Sequence, residues 1–92
     1  MIKSFKHKGL KRFFETGSTA AIRASHAPKL RDRLAFLNSA TCIEDMDIPG
    51  YRLHQLKGSR AKFWAIDVNA NWRIVFWFED GDAYIVNYED YH

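Results

Sequence analysis

An acid, a phenol and an imidazole stand side by side at the end of this chain, as Asp90, Tyr91 and His92. A second histidine, His54, is followed three residues later by Lys57. Imidazole gains and loses protons near neutral pH, and a neighbouring carboxylate can orient it for that exchange. The two segments together therefore predict proton-transfer chemistry, provided that the fold brings them to one place.

Arg73 is the candidate for binding an anion, because its planar fork can donate to two oxygens of one phosphate. If Asp80-Gly81 forms the two-residue loop of a hairpin, Arg73 pairs with Tyr88 and lies diagonal to Asp90. Two interpretations follow. Either Arg73 forms an ion pair with Asp90 that holds the last strand, or Arg73 is positioned to bind a phosphate.

Cleavage of RNA without a metal would use such a set of groups. The ribose 2′-OH must lose a proton and the leaving 5′-oxygen must gain one, and each positioned transfer contributes roughly 10²–10⁴ in rate. Fixed cations stabilise the charge that develops on phosphorus, and an aromatic ring can hold a base by stacking. The predicted catalytic residues are His54, Lys57, Arg73, Asp90, Tyr91 and His92.

A metal centre is the competing interpretation of the same residues. His54, Glu89, Asp90 and His92 carry atoms that bind zinc or magnesium. The chain has no H-x-x-x-H or C-x-x-C spacing, and adjacent strand residues such as 89 and 90 point to opposite faces. We therefore expect no metal and no cofactor.

The elements that must position these residues follow from where apolar residues recur. The predicted elements are a short strand Ile2–Phe5, a helix His7–Thr16 capped by Gly17, a helix opening at Ser25 with Pro28 in its first turn, a loop Cys42–Gly50, and strands Tyr51–Leu56, Lys62–Val68, Trp72–Phe78 and Asp82–Glu89. This order predicts a single α+β domain of residues 1–92. Its two N-terminal helices pack on one face of a mostly antiparallel, four- to five-stranded twisted sheet.

Positive charge is concentrated in residues 1–33, which hold nine Lys and Arg against Glu15 and Asp32. On the second helix, Arg31 and Arg33 are predicted to face outward with Asp32. A basic surface of this kind either attracts a polyanion such as RNA or is simply solvated. Charge alone leaves both possibilities open.

The remaining composition indicates a cytoplasmic protein. Cys42 is the single cysteine, which excludes an intramolecular disulfide and favours a reducing compartment. No run approaches the ~20 apolar residues that span a bilayer. The N-terminal charges are not followed by the apolar region of a signal peptide.

Several segments resemble HigB toxins of the RelE/ParE toxin superfamily. The matching segments are Met1–Lys11, Arg52–Gly58, Asn71–Phe76, Gly81–Tyr84 and Asn87–His92. The likeness is tight over residues 1–14 and 51–92, and through residues 15–50 it rests on helix pattern and length. The resemblance implies a RelE-like microbial RNase fold.

The same resemblance implies a bacterial, ribosome-dependent mRNA endoribonuclease that cuts codons in the 30S A site. It also implies neutralisation by a HigA-like helix-turn-helix antitoxin, through which alone the toxin would meet operator DNA. The family's catalytic positions correspond to the six residues predicted above. Under the hypothesis adopted here, His92 and Asp90 handle the 2′-OH proton, His54 protonates the leaving oxygen, Arg73 and Lys57 hold the phosphate, and Tyr91 packs on a base or ribose.

Under this interpretation the basic residues contact RNA backbone, which positions a protein without reading sequence. The predicted RNA- or ribosome-binding residues are Lys3, Lys6, Lys8, Lys11, Arg12, Arg23, Lys29, Arg31, Arg33 and Arg60. Two alternatives remain. One is a ParE-like toxin that inhibits gyrase without nuclease chemistry, and the other is a non-catalytic nucleic-acid-binding module.

Overall fold

Two helices lie on one face of a four-stranded antiparallel sheet in the computed structural model, which describes residues 1–91. The elements are α1 (Lys8–Thr16), α2 (Ala27–Ser39), β1 (His54–Gln55), β2 (Phe63–Asp67), β3 (Trp72–Glu79) and β4 (Asp82–Asp90), with short 3-10 turns at Ala24–His26, Ile43–Met46 and Gly58–Arg60. The strands follow one another in the order β1-β2-β3-β4. The predicted α+β architecture is confirmed.

Each helix buries one apolar face against the sheet. Leu10 and Phe13 of α1 pack in one cluster with Leu30, Leu34 and Leu37 of α2 and with the helix-facing side of the sheet. Among residues 1–91, no helix is long and apolar enough to cross a membrane.

The ends of the helices differ in part from the prediction. Gly17 caps α1 in the left-handed conformation, with φ 79°, as expected. The predicted N-cap at Ser25 is wrong, because residues 24–26 form a 3-10 turn and α2 begins at Ala27. That turn is closed by a bond from the His26 N–H to the Arg23 carbonyl, and it carries the His26 side chain into the core.

The N-terminal segment runs parallel to β4, along the edge of the sheet that this strand forms. Ile2 bridges to Ala83 and Phe5 to Val86, so the predicted strand is present as two isolated bridges. Four backbone hydrogen bonds connect residues 1–6 with Ala83 and Val86. The segment therefore occupies backbone groups that an edge strand would otherwise expose.

The strand predicted from Tyr51 to Leu56 is reduced to His54–Gln55. Arg52 has a φ of 51°, in the left-handed region, which interrupts an extended chain. Pairing with β2 resumes only at His54, which faces Ala65.

A β-bulge in β4 shifts the register of the last hairpin. Near the loop the pairs are those that Asp80-Gly81 predicts, including Trp77 with Tyr84. Beyond Ile85, which has a φ of 55°, Arg73 pairs with Glu89. The predicted pairing of Arg73 with Tyr88 is therefore wrong, because the bulge inserts one extra residue into β4.

A shift of one residue moves every following side chain to the other face of the sheet. Tyr88 and Asp90 consequently lie on the side of the helices. Glu89 lies beside Arg73 on the opposite side, which we call the outer face. The predicted diagonal contact between Arg73 and Asp90 is wrong for the same reason.

Two polar side chains are buried between the helices and the sheet. The His26 Nδ1 is hydrogen-bonded to the Tyr88 hydroxyl, and its Nε2 accepts from the Asn69 amide at 2.7 Å. Arg33 is only 8% exposed, so its predicted outward orientation is wrong. Its Nε donates to the Asp67 carbonyl at 2.6 Å, and its guanidinium lies 4.2 Å from the Tyr51 ring centroid.

Gly9 in α1 has no room for a methyl group. A Cβ built there would lie 2.3 Å from the Ala21 Cβ and 3.2 Å from the Ala21 carbonyl oxygen. We expect Gly9→Ala to lower the free energy of unfolding by about 1–3 kcal/mol through overpacking. Adding Ala21→Gly should restore part of that loss in a double-mutant cycle measured by urea unfolding. Purely additive effects would contradict the contact.

Burial, followed by the charges of Arg23 and Lys29, lowers the pKa of His26 below its ordinary value. The unfolded chain therefore binds a proton at this residue more readily than the folded protein. We expect the free energy of unfolding to fall as the pH drops below about 6.5, the ordinary histidine value. His26→Gln should flatten this dependence between pH 7.5 and 5.5 in urea titrations. An equally steep profile in the variant would contradict the assignment.

Candidate active site

Charged side chains form a row across the outer face of the sheet. Asp67 of β2 pairs with Arg73 of β3, and Arg73 pairs with Glu89 of β4. Cross-strand partners share a face, so these three side chains are neighbours. Tyr91 lies two residues beyond Glu89, and its N–H donates to the Asn71 carbonyl at 2.6 Å, which holds the end of β4 against the turn between β2 and β3.

Arg73 lies at the centre of this row. Its guanidinium carbon is 4.4 Å from the centroid of the Tyr91 ring, in the range of a cation–π contact. Its Nη2 makes one long contact, 3.5 Å, to Glu89, and its buried Nε has no hydrogen-bond partner among the described residues. The aromatic ring therefore holds the guanidinium in place, while its Nε remains without an acceptor among residues 1–91.

The Tyr91 hydroxyl donates to Asp67 Oδ1 at 2.8 Å. Burial and this hydrogen bond raise the pKa of Tyr91 above its ordinary value, although Arg73 acts in the opposite direction. The phenol is therefore neutral at physiological pH. It can donate a hydrogen bond and support Arg73, but it is not a base.

Asp67 is a member of the site that the sequence interpretation missed. It also accepts from Arg52 Nη1 at 3.1 Å. From the helix side, the buried Arg33 holds its backbone carbonyl. The sequence contained the information to place Asp67, because a hairpin with its turn at residues 69–71 puts it opposite Arg73.

Glu89 was considered only as a metal ligand and is instead an acceptor for basic groups. Arg60 Nη2 donates to its Oε2 at 2.6 Å and Asn87 Nδ2 at 2.9 Å. Burial alone would raise the pKa of Glu89, but the bonds from Arg60 and Asn87 and the charge of Arg73 outweigh it and lower that pKa. Glu89 is therefore an ionised carboxylate that anchors Arg60 over the outer face.

His54 lies on the same outer face, because it pairs with Ala65 and Ala65 precedes Asp67 by two residues. Its Nδ1 is 2.7 Å from the Arg52 carbonyl oxygen. A carbonyl can only accept, so Nδ1 carries the proton and Nε2 remains for other chemistry. The buried Val75, paired with Ala65, continues this surface toward β4.

Lys57 and Arg60 flank the 3-10 turn at Gly58–Arg60. Lys57 is exposed and precedes the turn, where Gly58 has a φ of 69°. Arg60 folds back from the turn to Glu89. The turn therefore brings basic charge to the edge of the outer face.

Of the two remaining predicted catalytic residues, Asp90 lies on the opposite face of the sheet from Arg73. Asp90 is exposed on the helix-facing side of β4, where its charge acts on the buried Tyr88. His92 lies outside the described residues. Within residues 1–91, no group of three or more His, Cys, Asp and Glu side chains is arranged to hold a metal ion.

The predicted RNA-binding residues separate into two surfaces. Arg60 belongs to the outer face through Glu89, whereas Arg33 is buried. Exposed residues of the N-terminal segment, of the two helices and of the segment joining those helices carry the remaining charges: Lys3, Lys6, Lys8, Lys11, Arg12, Arg23, Lys29 and Arg31. Most of the predicted basic set therefore lies away from Arg73.

Comparison with known proteins agrees with the resemblance drawn from the sequence. The model of a HigB-like toxin family, described as a RelE-like toxin of the type II toxin–antitoxin system HigB, matches residues 3–92. The chain is 54% identical over 92 residues to the endoribonuclease HigB of Proteus vulgaris, covering 100% of both chains. A crystal structure of a copper-bound mutant toxin from Helicobacter pylori has the same fold, with a TM-score of 0.55, 15% identity, and coverage of 98% of this chain and 94% of that one. The chain belongs to the HigB-like family of RelE-like toxins from type II toxin–antitoxin systems.

Proposed function

We propose that this toxin is a ribosome-dependent endoribonuclease that cuts mRNA in the ribosomal A site. The proposal rests on Arg73, which is held against Tyr91 on the sheet face that also carries His54, and whose Nε has no hydrogen-bond partner in the part of the chain that the structure describes. A relative that matches over its full length has the name endoribonuclease HigB. That name supports RNA cleavage, and the dependence on the ribosome rests on the family resemblance.

The outer face is suited to binding one phosphate. Among the described residues, the three guanidinium groups of Arg52, Arg60 and Arg73 pair with two carboxylates, Asp67 and Glu89, so cations outnumber anions in these pairs. Arg73 offers fixed donors to the charge that develops on the phosphorane. Lys57, exposed beside the Gly58 turn, supplies a further mobile cation.

In the proposed reaction the ribose 2′-oxygen attacks the adjacent phosphorus, the bond to the 5′-oxygen breaks, and a cyclic phosphate remains on the upstream fragment. One group must accept the 2′-OH proton and another must give a proton to the leaving 5′-oxygen. His54 exchanges its proton through Nε2, since Nδ1 is bonded to the Arg52 carbonyl. We assign it to the leaving oxygen and His92 to the 2′-OH.

Asp90 and Tyr91 have supporting roles in this proposal. Asp90 pairs with Trp72 and lies on the opposite face of the sheet from Arg73, and we assign it to the orientation of the neighbouring His92. Tyr91 is neutral and bonded to Asp67. It therefore positions Arg73 and packs on the ribose or base rather than transferring the proton.

Membership of a type II system implies an antitoxin partner. We propose a HigA-like helix-turn-helix protein, through which alone the toxin meets operator DNA, and a bacterial cytoplasmic location. The exposed basic residues of the N-terminal segment and helices would contact ribosomal RNA backbone. An antitoxin that covers this basic surface could block entry into the ribosome without touching Arg73.

Arg73→Lys keeps the charge of residue 73 but loses the planar fork that fits a phosphate. We expect A-site cleavage to fall by about 10²-fold or more, and His92→Ala to abolish it. The measurement is mapping of mRNA 5′ ends in cells after induction. Asp47→Asn, an exchange in an exposed loop, is the matched control. Wild-type cleavage by both site variants, or growth inhibition without new 5′ ends, would contradict the proposed nuclease.

Tyr91→Phe tests the positioning role, because it keeps the ring over Arg73 and removes only the bond to Asp67. We expect a roughly tenfold slower single-turnover cleavage of ribosome-bound mRNA, the effect of losing one hydrogen bond. Tyr91→Ala should lose considerably more, since Arg73 then loses its aromatic support. Equal rates for Tyr91→Phe and Tyr91→Ala would show that the ring does not position the arginine.

A further inference from the structure

Three aromatic side chains lie together on the outer face, at the end of the sheet nearest the β3–β4 loop. Trp77 pairs with Phe63 on one side and with Tyr84 on the other. All three are half-buried, and the Phe63 and Trp77 ring centroids are 6.1 Å apart. We call Phe63, Trp77 and Tyr84 the aromatic shelf. Both helices pack on the opposite face, so the rings are not covered by that layer.

The shelf contains a small open cavity. It has a volume of about 200 Å³ and is lined by Trp77, Glu79 and Tyr84. This volume is below the roughly 300–1,000 Å³ of pockets for drug-sized ligands, and it suits a single planar ring. The carboxylate of Glu79 disfavours a phosphate at this point, so a base rather than the backbone fits the cavity.

The shelf lies on the same face of the sheet as the proposed site of cleavage. Trp77 and Arg73 point to the same face of β3 and are four residues, or about 13 Å, apart along the strand. Between them on the same face lie Val75 and Ala65, two small side chains that are themselves buried. A short run of extended nucleotides can span this distance.

Basic side chains also lie on this face, between Trp77 and the end of β4. The Lys62 ammonium lies 5.8 Å from the centroid of Trp77, and Arg60 reaches over the outer face to Glu89. Aromatic rings flanked by cations are the usual means of binding single-stranded nucleic acid, because any base can stack while the cations follow its backbone. A protein partner would not need this alignment with Arg73.

We propose that the aromatic shelf is a stacking subsite for an unpaired base of the RNA substrate, close to but outside the cleaved nucleotide. The inference rests on the proposed nuclease function and extends it to a second point of contact. Trp77 supplies the main stacking surface and Tyr84 its edge. The shelf binds and orients RNA and takes no part in proton transfer.

The test combines a protein change with a substrate change. Trp77→Ala should raise KM for ribosome-bound mRNA roughly 5- to 100-fold, the effect of losing one stacked base, while kcat is little changed. Removing bases one at a time near the cut, with abasic nucleotides, should reproduce this loss at one position in the wild type. With the same abasic substrate, the KM of the Trp77→Ala variant should rise no further.

Two variants separate stacking from folding. Trp77→Phe keeps a ring and should retain most of the affinity, whereas Tyr84→Leu keeps apolar volume and should weaken binding. Phe36→Ala removes an aromatic ring, 51% exposed, on α2 and is the matched control without effect. Thermal unfolding checks that each variant is folded.

Binding of a single-stranded oligoribonucleotide with a 2′-O-methyl group at each position, followed by tryptophan fluorescence, reads the shelf without cleavage. Quenching in the wild type that is lost in Tyr84→Leu supports the subsite even if the nuclease proposal fails. Normal cleavage by the wild type, with equal KM and equal abasic penalties in Trp77→Ala, would overturn the shelf and leave the nuclease proposal intact.

Discussion

The position of Ile85 in the left-handed region is the constraint on which the outer face depends. A β-branched residue rarely has a positive φ, and here it creates the bulge that shifts β4 by one residue. The Ser4 hydroxyl accepts from the Ile85 N–H, so the N-terminal segment binds the bulge directly. Because of the shift, Tyr88 enters the core and Glu89 reaches Arg73. In a regular strand Tyr88 would lie opposite Arg73, and Glu89 would lie on the helix side.

A second network ties the end of β4 to the helix side. The Asn69 amide donates to His26, and its oxygen accepts from the N–H groups of Asn71 and Trp72. The Asn71 carbonyl then accepts from the N–H of Tyr91. A buried histidine thus fixes the turn that holds the residue supporting Arg73. Positions in the core and positions in the site are coupled through this turn.

Arginine has two different uses in this small protein. Arg33 is buried and bonded to a carbonyl, and its guanidinium packs on the ring of Tyr51. Arg73 rests on Tyr91, and its Nε has no hydrogen-bond partner within residues 1–91. The difference follows from the surroundings of each guanidinium. Backbone carbonyls accept hydrogen bonds from Arg33. Arg73 has an aromatic ring and one long carboxylate contact beside it, which leaves it available for an anion.

Local signals were enough to predict both helices, the Asp80-Gly81 hairpin, the order of the strands and the family, because apolar spacing and turn residues act over a few positions. The same signals named His54 and Arg73 as residues of one site. They could not predict the register of β4 or the burial of Arg33. A bulge at an isoleucine has no local signature, and the acceptor for Arg33 lies 34 residues away in sequence. Only tertiary packing decides which carboxylate faces Arg73, since the energy that selects the register comes from burying Tyr88 and Val86 against the helices.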